Sequence, residues 1–185
     1  WSRLAVLAAT ALIVASPLLV YALGRPEMLL GRSSQVSILN PVVNQGSLPG
    51  TLARQVARTL AMFNWQGDFI PRHNLPLRPV FDPPVGILFL LGVLISFRFA
   101  RRSVGHALVL ILLGLMLVPT ILAEGAPHFL RSVGVLPTLF LLAALGLRFL
   151  WRWLQKRVPL HFAVLLICCA AALSLTLTIR DYFVR

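Results

Sequence analysis

Residues 104–123 read VGHALVLILLGLMLVPTILA, twenty positions with no Asp, Glu, Lys or Arg and no alternation of apolar with polar residues. At 1.5 Å per residue, a helix of this length covers the hydrocarbon core of a bilayer, about 30 Å. Lipid offers the backbone no hydrogen-bond partner, so a spanning run must satisfy its own N–H and C=O groups, and a Leu-rich run does so as a helix. Arg101-Arg102-Ser103 precede the run and Glu124 follows it, which places polar residues at both of its ends. Outward from this segment, four more apolar stretches qualify: Leu4–Leu23, Val85–Ala100, Ser132–Trp151 and Leu160–Ile179. The second, Val85–Ala100, is short and follows Asp82-Pro83-Pro84. Asp82 is suited to cap that helix, and a proline is tolerated in its first turn. Arg98 at its far end has a stem long enough to reach the interface. The fold class expected is therefore all-α, a polytopic membrane helix bundle of about five transmembrane helices.

Composition agrees. Of 185 residues, 58% are hydrophobic and 12% charged, where soluble domains carry about a quarter charged residues. Mean hydropathy is +0.87. A soluble enzyme, a disulfide-stapled secreted domain and a disordered tail are all excluded. The net charge is +12, and every basic residue except Lys156 is Arg. These cations sit between apolar runs rather than on one polar face, so the partner they indicate is the lipid bilayer and not nucleic acid. Arg98, Arg101 and Arg102 lie in one short loop; Arg148, Arg152, Lys156 and Arg157 surround another. The positive-inside rule assigns both to the cytoplasm, and Arg3 agrees. Residues 24–84, 124–131 and the C-terminus are then expected to face outside. The chain opens on Trp1 close to an apolar run and stops at Arg185 just beyond another, so it reads as an internal piece of a larger protein. Its divisions are a helix at 1–23, an external segment at 24–84, a four-helix membrane bundle at 85–179, and the start of an external C-terminal part at 180–185.

Within the external segment, Gly24–Gly50 is rich in Gly, Pro, Ser and Asn and reads as loop. From about 51 to 64 the apolar residues Leu52, Val56, Leu60 and Phe63 recur at helical spacing, with Arg54, Gln55 and Arg58 off the stripe. This predicts a short amphipathic helix, resting on the membrane surface or packed on the remainder of the external domain. Residues 67–84 carry five prolines and are expected to be extended rather than helical. Arg72, His73 and Arg78 lie there with Asp68 and Asp82, as ligand-binding groups or as a solvated connector. In the loop Glu124–Arg131, Pro127 can start the next helix, which would set His128 and Arg131 three apart on its first turn. A cation and an imidazole at a helix N-terminus suit a phosphate, with Glu124 pairing Arg131 or orienting His128. Interfacial anchoring explains the same residues.

The sequence has no Gly-rich phosphate loop, no Walker motif and no GxSxG motif. Its four His and the adjacent pair Cys168 and Cys169 lack metal-ligand spacing, so no metal site and no cofactor are evident. No span centre holds a charge, which argues against a proton-coupled transporter or a voltage sensor.

The order Met62-Phe63-Asn64, Gly67-Asp68, Arg72-His73-Asn74-Leu75-Pro76-Leu77-Arg78-Pro79, then a Phe-Asp-Pro helix start, resembles bacterial membrane glycosyltransferases of the GT-C type. These are related to the dolichyl-phosphate-mannose–protein mannosyltransferases. Ala126-Pro127-His128-Phe129-Leu130-Arg131 with Leu136-Pro137 is similar to an outer loop and helix of that family. Arg180-Asp181-Tyr182-Phe183 is similar to its exit from the last membrane helix. The resemblance covers about residues 60–185. It implies inverting transfer of a sugar from a polyprenyl-phosphate carrier to an acceptor at the outer face. It also implies an acidic base in an earlier external loop that this sequence does not contain, so the catalytic residue is unknown. Arg72, His73, Arg78, Glu124, His128 and Arg131 would serve the lipid-phosphate side. The competing readings are a non-enzymatic transporter or scaffold subunit, with Pro17 and Pro119 interrupting two spans, and an O-antigen ligase or polymerase acting on a lipid-linked substrate.

Overall fold

The computed structural model describes residues 2–25, 27, 31 and 34–184. It is 74% helical, with no strands among the described residues, as the apolar runs require. The chain divides into two compact units, residues 1–48 and 49–185.

The first unit holds α1 (Ser2–Gly24), whose stretch Arg3–Gly24 is long and apolar enough to cross a membrane. Pro17 lies inside it and cannot donate to the carbonyl of Ile13. The Ser16 hydroxyl donates to that carbonyl instead, at 2.7 Å, so the proline leaves no backbone acceptor stranded. The following segment, expected to be loop, contains α2 (Pro41–Asn44) among its described residues. Asn40 caps α2 by accepting from the Val42 N–H. Left-handed Gln45 and Gly46 end it, and Asn44 closes the turn by donating to the Ile38 carbonyl at 3.0 Å. Residues 26, 28–30 and 32–33 of the expected loop lie outside the described residues.

The second unit contains α3 (Leu48–Ala61), α4 (Pro83–Phe99), α5 (Val104–Ile121), a 3-10 segment (Phe129–Val135), α6 (Leu136–Leu154) and α7 (Leu160–Ile179). A π-helical turn, Arg180–Val184, continues α7, so residues 180–184 extend a helix where the sequence suggested an exit from it. Three stretches here have the length and composition of membrane spans: Val104–Ile121, Phe129–Leu154 and Leu160–Val184. α4 is apolar but shorter. With α1 this makes a multi-pass membrane protein, and the spans begin and end within a few residues of the sequence expectation.

Asp82 caps α4 as expected, accepting from the Val85 N–H at 3.1 Å, and its second oxygen accepts from the Ser174 hydroxyl of α7. α4 and α6 cross at Gly92 and Gly146. A Cβ on Gly92 would stand 1.8 Å from the Leu142 carbonyl oxygen, and one on Gly146 would stand 1.9 Å from that of Leu88. Only glycine permits such an approach, which is how membrane helices gain dispersion contact without a hydrophobic driving force. Beside this crossing, Phe89 of α4 meets the rings of Phe63 and Phe81, each at 5.1 Å between centroids. Val80 and Phe81 donate backbone hydrogen bonds to Met62 and Phe63. The non-helical segment is thereby tied both to the end of α3 and to a membrane helix.

α3 differs from the amphipathic reading in one respect. It is a helix close to the expected place, but the face it buries is Thr51, Gln55 and Thr59, while Leu52 and Leu60 are exposed. On that face the Thr59 hydroxyl is buried with no partner among the described residues, whereas Gln55 is satisfied. Its amide donates to the Ala123 carbonyl at 3.1 Å, and its oxygen accepts from the Ala126 N–H at 3.0 Å. Of the expected apolar stripe, Leu52 and Leu60 face outward, Val56 is half-buried, and Phe63, just past the helix, lies in the core.

Candidate functional site

The site is built from two loops and one helix end. The first loop, residues 67–78, is not the extended connector its prolines suggested. Gly67 donates to the Leu77 carbonyl at 3.1 Å and Leu77 donates to the Asp68 carbonyl at 2.8 Å, so the segment returns on itself. A Cβ at Gly67 would lie 1.9 Å from the Arg78 carbonyl oxygen, so glycine is required where the two limbs meet. Leu77 takes a left-handed φ of 65° at the closure. Proline excludes helix, but it is compatible with turns.

Asp68 sits at the neck of this loop and is fully buried. One carboxylate oxygen accepts from the Ile70 N–H at 2.9 Å. The other meets Nδ1 of His73 at 2.6 Å and accepts from the Phe129 N–H at 3.0 Å. The last bond joins the first loop to the 3-10 segment. Burial raises the carboxyl pKa, but the bonds from His73, Phe129 and Ile70 outweigh it and hold Asp68 below its ordinary value. Asp68 is therefore an anion that fixes the His73 ring with its Nδ1 hydrogen inward.

The His73 side chain is 1% exposed, and its ring lies 4.7 Å from that of His128. His73 Nε2 and His128 Nδ1 are both buried without a hydrogen-bond partner among the described residues. Burial, then the charge of Arg131, lower the His128 pKa, so that ring is neutral near pH 7. His128 does not ride on a helical first turn as the spacing suggested. It is extended, at φ −138°, and precedes a 3-10 segment, with α6 starting only at Leu136. Its N–H donates to the Thr120 hydroxyl and its carbonyl accepts from the Ser132 hydroxyl, each at 3.1 Å. The backbone geometry is set by Pro127 on one side and these two hydroxyls on the other.

Arg78 is held by the end of α7. Its Nε donates to Asp181 at 3.1 Å, Nη1 donates to the Tyr182 hydroxyl at 3.2 Å, and the guanidinium lies 4.7 Å over the Tyr182 ring. The Tyr182 hydroxyl donates in turn to Asn74. His73, Asn74, Arg78 and Tyr182 line the polar part of a cavity of about 320 Å³, and Val133, Leu136 and Leu139 line its apolar part.

Of the residues proposed from sequence, His73 and Arg78 line this cavity and His128 stands against His73. Arg131 turns away, donating to the backbone carbonyl of Glu124 at 2.7 Å. The expected carboxylate pairing of Glu124 with Arg131 is absent among the described residues, and Glu124 does not orient His128. Asp68 orients His73, and through His73 the pair. Glu124 and Arg72 are exposed and do not line the cavity. The sequence reading passed over Asn74, Asp181 and Tyr182 as site residues. Arg180-Asp181-Tyr182-Phe183 was visible as a polar stretch closing an apolar run, but nothing local says that it meets Arg78 from 103 and 104 positions away. No family model, no curated protein and no solved structure matches the chain.

Proposed function

We propose that this chain is the membrane part of a GT-C type glycosyltransferase, which accepts a polyprenyl-phosphate-linked sugar at the outer face of a bacterial membrane and passes the sugar to an acceptor. The observation that supports this is a cavity lined both by polar side chains, His73, Asn74, Arg78 and Tyr182, and by apolar ones, Val133, Leu136 and Leu139. A polyprenyl-phosphate carrier likewise combines an anionic head with a hydrocarbon chain. The apolar wall belongs to the beginning of a segment with the character of a membrane span, Phe129–Leu154, so a bound chain would continue into lipid.

In the proposed reaction the carrier phosphate is the leaving group and gathers negative charge as the glycosidic bond breaks. A guanidinium already held in place by Asp181 and Tyr182 stabilises that charge without reorganising. Arg72 and Arg131, away from the cavity, raise the local concentration of an anionic donor through their field. The base that activates the acceptor belongs to another part of such an enzyme. The cavity end of the bundle is the external one in this reading, because Arg98, Arg101, Arg102, Arg148 and Arg152 cluster at the opposite helix ends.

The test is sugar transfer by the full-length protein from a short-chain polyprenyl-phosphate donor. Arg78→Gln is expected to lower kcat/KM at least tenfold with expression unchanged, about 1.4 kcal/mol of transition-state stabilisation. Unchanged transfer by Arg78→Gln would remove the cavity from the mechanism.

A further inference from the structure

One pairing is left unexplained by phosphate binding at Arg78. Two imidazole nitrogens, His73 Nε2 and His128 Nδ1, are buried on rings 4.7 Å apart and have no partner among the described residues. Buried polar atoms are nearly always satisfied, so two such nitrogens on neighbouring rings indicate a ligand. Both are nitrogens that present a lone pair when the ring carries its proton on the other atom. Asp68 imposes that state on His73 by taking the Nδ1 hydrogen at 2.6 Å.

We propose that His73 and His128 bind a divalent metal ion of the zinc class, with Asp68 as the carboxylate behind His73. Asp68, His73 and His128 each offer a ligand atom within 4.8 Å of the others, close enough for the two rings to share one ion with the carboxylate beside them. Bonds from zinc to imidazole nitrogen and to carboxylate oxygen are about 2.0–2.2 Å, which sets tetrahedral ligand atoms roughly 3.3 Å apart. The Asp68–His73 contact is shorter than that, so these two atoms are joined by a hydrogen bond and cannot both ligate as they stand. Nε2 is therefore the ligating atom of His73. A carboxylate on the far nitrogen of a metal-binding histidine fixes its tautomer and raises its basicity. Imidazole donors select zinc and its neighbours over calcium or magnesium, which prefer oxygen. Two protein nitrogens leave coordination positions open. His73 is also among the residues that line the cavity. The metal site stands on the histidine pair and does not require the chain to be a glycosyltransferase.

The experiment uses untagged full-length protein, purified in detergent and equilibrated with buffered zinc, with bound metal measured by mass spectrometry. About one equivalent is expected. His73→Gln and His128→Gln should each retain less than about a tenth of it, while His106→Gln and His161→Gln retain all of it. Asp68→Asn should bind at saturation with affinity weakened about 10–100-fold. Where a glutamine variant fails to fold, X-ray absorption on the zinc-loaded native protein decides the matter. Two imidazoles in the first coordination sphere support the site; a sulfur-containing or purely oxygen sphere overturns it. Less than a tenth of an equivalent in the native protein, or full retention in a folded variant carrying both His73→Gln and His128→Gln, overturns it as well.

Discussion

Asp68 is the residue on which both loops depend. Its carboxylate accepts from Ile70, His73 and Phe129, three donors drawn from two loops. Removing a buried acceptor costs about 1–3 kcal/mol for each donor left unsatisfied. Asp68→Ala is therefore expected to lower the apparent Tm in detergent by several degrees. Asp68→Asn, which keeps one acceptor oxygen, should lower it less. Equal Tm for native protein and Asp68→Ala would show that the two loops hold without this residue. Tyr182 makes a separable prediction, because its hydroxyl is hydrogen-bonded to Arg78 and Asn74. Tyr182→Phe keeps the ring beneath the guanidinium and loses the hydroxyl contacts. Donor affinity should fall about 3- to 10-fold, corresponding to a hydrogen bond of about 1 kcal/mol, with Tm nearly unchanged. Titration with a polyprenyl phosphate checks this. Sequence shows that Asp68, His73 and Arg78 are chemically able residues close together. It does not show that Arg78 is steadied from α7, because the partner lies in a part of the chain that only folding brings near.

Among the elements, the α4–α6 crossing carries the sharpest steric condition. The approach at Gly92 and Gly146 is to backbone carbonyls, which cannot swing aside as a side chain can. Gly92→Leu or Gly146→Val is expected to force the helices apart and reduce the monodisperse yield severely. Two controls separate this from a general intolerance of glycine replacement. Among the described residues, Gly114→Ala meets nothing within 4 Å, and Gly134→Ala meets the flexible Met116 side chain, nearest at Sδ. Both should give near-native yield in size-exclusion chromatography. A normal yield for Gly92→Leu would mean that the helices do not cross as described. The same scale shows where periodicity misleads. The stripe Leu52, Val56, Leu60 correctly signals a helix, yet the buried face is Thr51, Gln55 and Thr59. Periodicity reports that two faces differ, and in a soluble protein the apolar one goes inward. In α3 a polar residue goes inward because Gln55 finds partners there, at Ala123 and Ala126.

For the whole molecule, the charges separate along the bundle. Arg98, Arg101 and Arg102 follow α4, and Arg148, Arg152, Lys156 and Arg157 surround the end of α6, whereas Asp68, Asp82, Glu124 and Asp181 all belong to the end that carries the cavity. This predicts orientation. In a background with Cys168 and Cys169 replaced by Ala, a cysteine at Glu124 should react with an impermeant maleimide in intact cells. One at Arg102 should react only after the membrane is opened. The reverse pattern would put the cavity in the cytoplasm and end the proposal of an outer-face donor site.

What the sequence determined by itself is the set of membrane-spanning helices. Each span is a local decision, made by sixteen to twenty neighbouring residues that lipid forbids any other conformation, and the Asp82 cap is likewise settled within a few positions. What only the tertiary structure decided is which polar groups meet. The Asp68 bond to Phe129 and the Arg78 bond to Asp181 join residues 61 and 103 positions apart, and the pairing of His73 with His128 belongs with them. No local window contains both partners of such a contact. They meet because Gly67 lets a proline-rich loop close, Gln55 holds the neighbouring loop, and the helices between them pack at one separation and not another.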